Sequence, residues 1–401
     1  MYSAHQEPRR RSRLGQVFSE SPIVAFGAVL VVLVGIGLSG FAAFTATRSA
    51  PAPSVWQGSA SAGGDPSGAP VPSATEPAPK VISMSATGDI VMGNAPNRLP
   101  PNGGQGFFDP VKEALVADLV MGNLEEPLTE DTGTTKCGAG SSGCHAFRAP
   151  PSYAAHLRDA GFDLLNLANN HGYDYGQAGY ENTTRALEEH GMQHTGRAGQ
   201  ITIADVDGVK VAVLGFTPYS WTNNLVNIEK ATEIVEEAAA QADLVVVQVH
   251  MGAEGADRTR VKPGTEMFLG ENRGDPIKFS HAVIDAGADL VVGHGPHVMR
   301  ALEFYKGRLI AYSLGNFAGG GGTLNGSGRL GYGAVLKVSM TADGTWSDGQ
   351  LISTIMNGSG LPTMDDRKRG LDLVRGLCES DFPTTAPTLD GEGRITPPAG
   401  G

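Results

Sequence analysis

Five strand-like runs in this sequence end on, or just before, a carboxylate, an amide or an imidazole. VISMSATG (81–88) stops at Asp89, and DLVMGN (118–123) is followed by Glu125. FDLLNLA (162–168) leads into Asn169, Asn170 and His171, and DLVVVQVH (243–250) closes on His250. ADLVVGH (288–294) closes on His294, with His297 three residues later. A single Asp or His after a strand is more often a cap or a satisfied surface group. Asn169-Asn170-His171 alone also reads as an Asn-rich turn capping the helix that starts at Gly176. Five such ends carry more weight, because ligands in an α/β sheet collect beyond the carboxyl ends of its strands. Mixed nitrogen and oxygen donors without thiolate suit borderline divalent ions such as Mn, Fe or Zn. A carboxylate shared by two such ions would let both hold a hydroxide and polarise a phosphoryl oxygen.

The elements that must position these groups alternate. Helical patterns cover 151–161, with Gly161 as the stop, and 176–191, ended by Gly191. Another covers 228–242, and a fourth covers 275–287, with Asp275 as cap and Pro276 at the first helical position. Near-continuous Val/Leu strands, among them KVAVLGFT (210–217), lie between them, as in buried sheets covered by helices. After His297 the texture becomes that of antiparallel hairpins, with turns at Lys306-Gly307 and Asp343-Gly344. One α/β domain of roughly 280 residues fits this order. A closing helix is expected in DDRKRGLDLVRGLCES, and residues 383–401 are expected to form a disordered tail.

Ahead of that domain the 401-residue chain has a different character. Arg9, Arg10, Arg11 and Arg13 crowd a basic N-terminus, 1–22, which precedes a charge-free stretch, 23–47. Roughly 25 apolar residues suffice to cross a hydrocarbon core, and a secretory h-region is shorter, about 7–15 residues. The segment therefore reads as a retained single-pass membrane anchor with a cytoplasmic N-terminus. Cleavage near Ala43 or Ala46 is the alternative. Residues 48–79, rich in Pro, Ala, Ser and Gly, read as an extended linker. The net charge of −12 argues against nucleic acid as a partner. Cys137 and Cys144 flank a loop short enough to close as a disulfide in an oxidising exterior, two unpaired thiols being the alternative.

GDIVMG, GNLEEPLT, FRAPPSYA, LANNHGYDYGQAG, HMGAEG, IDAGADLVVGHGPHV and YKGRLIAYSLGNF, taken in order, resemble the CapA family of capsule-biosynthesis proteins. That family is associated with poly-γ-glutamate and is similar to the calcineurin-like metallophosphoesterases. The resemblance spans about Ser83 to Phe382 of the 80–382 domain. It implies a four-layer metallophosphoesterase-like sandwich behind the transmembrane helix, with two divalent ions. Asp89 and His297 would serve one ion, Asn170, His250 and His294 the other, and Glu125 would bridge them. His171 would protonate a leaving oxygen, while Asn123, Arg148 and Asn316 would orient substrate. Three positions depart from the pattern. Val91 stands where the metallophosphoesterase Asp-x-His opening has its imidazole, which leaves one ion a ligand short or weakly held. The Gly-His-x-His ending is GHGPH, and the family's His-Trp-Gly is His250-Met251-Gly252.

Three functions are consistent with these residues. One is a metal-dependent phosphoester hydrolase acting outside the membrane on an anionic envelope polymer or phosphoester. The second is a non-catalytic partner of polymer synthase or export components. The third is a general extracytoplasmic nucleotidase or phosphodiesterase. An ATP-dependent ligase is disfavoured, since no Gly-rich phosphate loop with its lysine is present.

Overall fold

The computed structural model describes residues 80–138 and 143–399. The expected N-terminus, membrane anchor and linker lie outside the described residues. Among the described residues, no helix is long and apolar enough to cross a membrane.

Two large mixed sheets carry the fold. The first runs Pro362–Met364, Trp346–Met356, Tyr332–Thr341, Val81–Val91, Leu119–Leu124, Leu164–Asn166, Gln193–Thr195, with Asn316–Gly319 parallel to Val81–Val91 as its eighth strand. The second runs Leu302–Tyr305, Arg308–Ala311, Leu290–His294, Leu244–His250, Val209–Thr217, Thr202–Val206, with Asn223–Asn224 beside Val209–Thr217. The strands that carry the candidate site are parallel to one another within each sheet, although Val81–Val91 is antiparallel to Tyr332–Thr341 on its other edge. Their carboxyl ends therefore share one rim in each sheet.

Apolar patterning sets the layers. Ile82, Met84, Leu119 and Met121 of the first sheet share one core with Val213, Val246 and Val291 of the second, so the sheets pack face to face. The other face of the first sheet buries Val120 and Leu165 against Leu157, Tyr180 and Leu187 of the helices Ala154–Ala160 and Gly176–Glu189. The helices Ile228–Ala239 and Pro276–Asp285 cover the second sheet with Val235, Ala238, Phe279 and Val283. Every residue of Leu244–His250 is buried, as a strand covered on both faces must be.

The local signals operate as expected. Asp275 Oδ1 accepts from the Lys278 N–H at 3.0 Å, with Pro276 opening the helix. Lys306 and Gly307 take φ of +49° and +77°, a two-residue hairpin turn. The two expected hairpins form, but in opposite sheets, a long-range choice that turn chemistry does not encode. The Asp89 strand also does not stop at Asp89. Asn316–Gly319 pairs with it from Asp89 onward and carries it to Val91.

The C-terminal residues correct the sequence reading. Instead of a tail after 382, Thr388–Leu389 and Ile395–Thr396 form a small antiparallel hairpin, with Leu389 and Ile395 both buried in the main core. The polar cost of holding this segment is met by Arg375, whose Nε donates to Leu389 O at 3.0 Å and whose Nη2 donates to Asp390 O at 2.8 Å. The Leu351 N–H adds a bond to Gly393 O at 2.8 Å. Two apolar residues in a polar sequence are a weak compositional signal, yet they are enough when a guanidinium satisfies the backbone between them. Leu389→Ala is expected to lower unfolding free energy by about 2–3 kcal/mol, measured by urea denaturation. An unchanged midpoint would mean that the segment is not part of the cooperative unit.

Candidate metal centre

At the rim the two sheets meet, and they contribute different chemistry. The first sheet delivers carboxylates, with Asp89 in Val81–Val91 and Glu125 directly after Leu119–Leu124. The second delivers imidazoles, with His250 and His294 opposite each other in register at the ends of adjacent strands. Glu125 Oε1 lies 3.1 Å from His250 Nε2. Asp89 Oδ1 is 3.4 Å from His294 Nδ1, and Asp89 Oδ2 is 3.1 Å from His297 Nδ1. His297 Nε2 stands 3.7 Å from Glu125 Oε1. One donor atom from each of Asp89, Glu125 and His297 falls within 4.8 Å of the other two, a cluster able to hold a cation.

Backbone geometry makes this approach possible. The extra residue in His294-Gly-Pro-His297 is absorbed by positive φ at Gly295 (+108°) and at His297 itself (+58°). A non-glycine residue enters that region at a cost of about 1–3 kcal/mol, and here the cost is met where both imidazoles reach Asp89. Gly88 is equally constrained. A Cβ there would fall 2.0 Å from the Gly315 carbonyl oxygen, the same atom that accepts the Asp89 N–H at 2.9 Å.

Burial dominates the electrostatics. It pushes Glu125 up to about 7 against the lowering charge of His297. Burial, then the charge of Arg273, pushes His250 down to about 3, which keeps this imidazole neutral with a lone pair to offer. Burial alone would raise Asp89, but the imidazoles of His294 and His297 hold it well below the usual carboxylate range. His297 moves the other way. Burial opposes its charge, yet Glu125, Asp89 and Glu254 raise it to about 10.

The residues fit a divalent cation on a structural criterion. Glu125 Oε2, Asn170 Oδ1 and His250 Nδ1 are buried with no hydrogen-bond partner, and His294 Nδ1 has only the long 3.4 Å approach of Asp89 Oδ1. Each buried atom left without a partner costs about 1–3 kcal/mol. All four belong to the donor set expected from sequence. The other nitrogen of His294, Nε2, is 3.2 Å from Gln248 Oε1, an acceptor that leaves Nδ1 free to ligate. Oxygen and imidazole donors of this kind suit divalent first-row ions.

His171 stands beside the cluster on the turn after Leu164–Asn166. Its Nδ1 donates to Asp174 Oδ2 at 2.7 Å, and its ring stacks on Phe147 with centroids 4.2 Å apart. Lys136 Nζ pairs with Asp174 Oδ1 at 2.6 Å and donates to Asn170 O at 2.9 Å. Lys136 and Phe147 flank the Cys137–Cys144 disulfide, which forms. Asn169 holds the turn. Its Nδ2 donates to Leu124 O and its Oδ1 accepts the His171 N–H.

The three residues expected to orient substrate are placed differently. Asn123 is fully buried and spends its whole amide inside the protein, donating to Asp89 Oδ1 at 2.9 Å and accepting from Asn166 and Asn169. Asn316 does likewise, with Oδ1 2.9 Å from His297 Nδ1 and Nδ2 donating to Leu330 O. In this structure both amides are spent on Asp89 and His297. Arg148 reaches Asp131 at 3.7 Å and sits 5.7 Å from the Tyr175 ring centroid. Sequence reading missed Gln248, Asp174, Lys136, Glu254 and Arg273. Gln248 was accessible, lying two residues before His250 on the same strand face, and Asp174 lies three after His171. Glu254 lies four residues after His250 within HMGAEG, while Arg273 lies in an irregular loop with no period to reveal it.

The chain is similar to known capsule-biosynthesis proteins. The model of the bacterial capsule synthesis protein family, PGA_cap, matches residues 83–320. Capsule biosynthesis protein CapA of Bacillus anthracis is 34% identical over 260 residues, covering 59% of this chain and 59% of that protein. PGA biosynthesis protein CapA of Bacillus subtilis is 32% identical over 257 residues, covering 59% of this chain and 63% of that one. The chain thus spans less than two thirds of the length of these Bacillus relatives. A probable polyglutamine synthesis accessory protein of Mycobacterium tuberculosis is 25% identical over 295 residues, 59% of this chain and 74% of that protein. Among solved structures, a putative 5'-nucleotidase from Staphylococcus aureus aligns with TM-score 0.40 and 15% identity, covering 74% of this chain and 58% of that one.

A cation that takes a His297 nitrogen must displace its proton. Since that group titrates at about 10, binding of Mn2+ is expected to strengthen steadily as pH rises from 6 to 9, with protons released. Asp89→Ala and His250→Ala are each expected to weaken binding about tenfold or more. Calorimetry in buffers of different ionisation enthalpy reads both quantities. Wild-type affinity retained in both variants would exclude this cluster as the cation site.

Proposed function

The chain belongs to the bacterial capsule synthesis protein family, and we propose that it is a metal-dependent phosphoester hydrolase of capsule biosynthesis or export. It would act outside the membrane on an anionic polymer or phosphoester of the envelope. The observation that carries this reading is the rim itself, where two buried carboxylates and three imidazoles converge from separate sheets with donor atoms left unpartnered. The Bacillus subtilis relative is named for PGA biosynthesis and the mycobacterial one for polyglutamine synthesis, and poly-γ-glutamate is the polymer proposed for this chain. The charge-free segment 23–47 is the proposed single-pass anchor, with polymer synthase or export components as partners in the same membrane.

A metallophosphoesterase-like pair of ions is part of the proposal. Asp89 and His297 would hold one, Asn170, His250 and His294 the other, and Glu125 both, with Mn, Fe or Zn as candidates. Such ions supply Lewis-acid polarisation and a nucleophile usable at neutral pH. The remaining work falls to side chains. Asp174 fixes the His171 ring through Nδ1 and Phe147 holds its plane, so Nε2 is the nitrogen left to protonate a leaving oxygen. Asn123 and Asn316 keep Asp89 and His297 in place.

Val91 favours a second reading, a polymer-binding component that holds metal without turnover, because the imidazole expected there is absent. A chromogenic phosphodiester with added Mn2+ separates the two. The hydrolase reading expects turnover by the full-length chain, with a kcat loss of about 10²–10⁴ in His171→Ala and Mn2+ binding retained. Full Mn2+ binding by the wild type with no turnover of phosphomonoesters or phosphodiesters would leave the second reading in its place.

A further inference from the structure

Position 91 offers no donor, for Val91 is apolar and fully buried. Beside His297, however, stands a carboxylate that the expected donor set does not include. Glu254 Oε2 lies 3.8 Å from His297 Nε2, the nitrogen that also faces Glu125 Oε1 at 3.7 Å. Its other oxygen, Oε1, accepts from Arg273 Nη2 at 2.9 Å. One oxygen is thus fixed, and the other makes no hydrogen bond among the described residues. We propose that Glu254 is a further metal ligand of this centre, supplying the donor that position 91 lacks. The proposal rests on the metal-centre reading above and deepens it.

Three observations support this role. The first is how firmly the segment is held. Arg300, 1% exposed, donates to both oxygens of Glu266 at 2.9 Å, to Ala253 O at 3.2 Å and to Arg258 O at 2.8 Å. Glu266 in turn accepts the Ala253 N–H at 2.7 Å. The Gly255 N–H donates to Pro296 O at 3.2 Å, which ties the residue after Glu254 to the turn that carries His297. Glu254 and His297 therefore keep their separation through backbone contacts as well as through their side chains.

Charge is the second. Arg273 is buried and already has a carboxylate partner in Glu271, whose Oε2 accepts from Nε at 2.9 Å. Glu254 is a second carboxylate on the same guanidinium, and its free oxygen faces His297 rather than Arg273. Orientation is the third. A guanidinium bonded to the distal oxygen of a ligating carboxylate is the kind of outer contact that fixes ligand geometry in metal sites. An added oxygen donor also moves the set toward what harder ions such as Mn prefer.

The test is Mn2+ stoichiometry and affinity of the purified full-length chain, by calorimetry and elemental analysis. Glu254→Gln is expected to lose one equivalent of Mn2+ or to bind it about tenfold more weakly. Glu271→Gln removes the charge of the other partner of Arg273 without touching the cluster, and is expected to bind within twofold of wild type. Glu254→Asp keeps a charge beside Arg273 but draws the carboxylate back by one methylene. It serves as the second variant should Glu254→Gln fail to fold, and is expected to melt like wild type and bind more weakly. A Glu254→Gln isotherm that overlays wild type overturns the proposal and leaves the metal centre standing. Equal weakening in Glu254→Gln and Glu271→Gln overturns it too, since the effect would then pass through Arg273. A wild-type chain that takes up no Mn2+ overturns both this proposal and the metal-centre reading.

Discussion

Two carboxylates, Asp89 and Glu125, are wholly removed from water at the place where two sheets meet. A buried carboxylate that keeps its charge needs partners, and an unpaired one costs several kcal/mol. The first sheet offers Asp89 only the amide of Asn123 at its own rim. The rest comes from the second sheet, as His294 and His297 at Asp89 and His250 at Glu125. Docking of the sheets and assembly of the site are therefore one event. Apolar faces rich in Val and Leu tolerate small shifts in relative position, whereas this set of contacts does not.

The groups that surround this seam are held by two irregular segments, and each is tied down at both ends. Lys136 and Phe147, on either side of the Cys137–Cys144 bridge, grip the Asn170-His171 turn through Asp174. The loop between Met251 and Gly274 is clamped by the buried Arg300–Glu266 pair. Such a pair is weak evidence for net stability, because desolvation offsets its attraction. Its value here is positional. It fixes where Ala253, and so Glu254, can stand.

The sequence disclosed the residues that meet at the rim better than their surroundings, for a physical reason. Asp89, His250 and His294 lie on strands whose period and parallel order follow from local patterning, and the rule that sites lie at carboxyl ends then gathers them. Asn123 and Asn316 were legible as rim residues but not as buried braces, because a motif does not tell which side of an amide is already bonded. Glu254, Arg273 and Lys136 depend on loop conformations set by contacts far along the chain, such as Arg300 to Glu266, and no short window contains that information. The hairpin Thr388–Thr396 was hidden for a similar reason. Its composition is that of a tail, and only the facing helix Arg369–Asp381, through Arg375, gives it a place.

This division has a consequence for how the site is tuned. Strand-borne donors are locked by ladder hydrogen bonds and by packing on both faces, so any change in their spacing disturbs the core. Loop-borne charges are not. Arg273 lowers the proton affinity of His250, while Glu254 raises that of His297, and both residues come from the same loop. Burial at His250, and the carboxylates of Glu125 and Asp89 at His297, thus bias the two imidazoles in opposite directions, with Arg273 reinforcing the first shift and Glu254 the second. The scaffold fixes where the nitrogens lie. The loop charges adjust a proton balance that burial and the two rim carboxylates set.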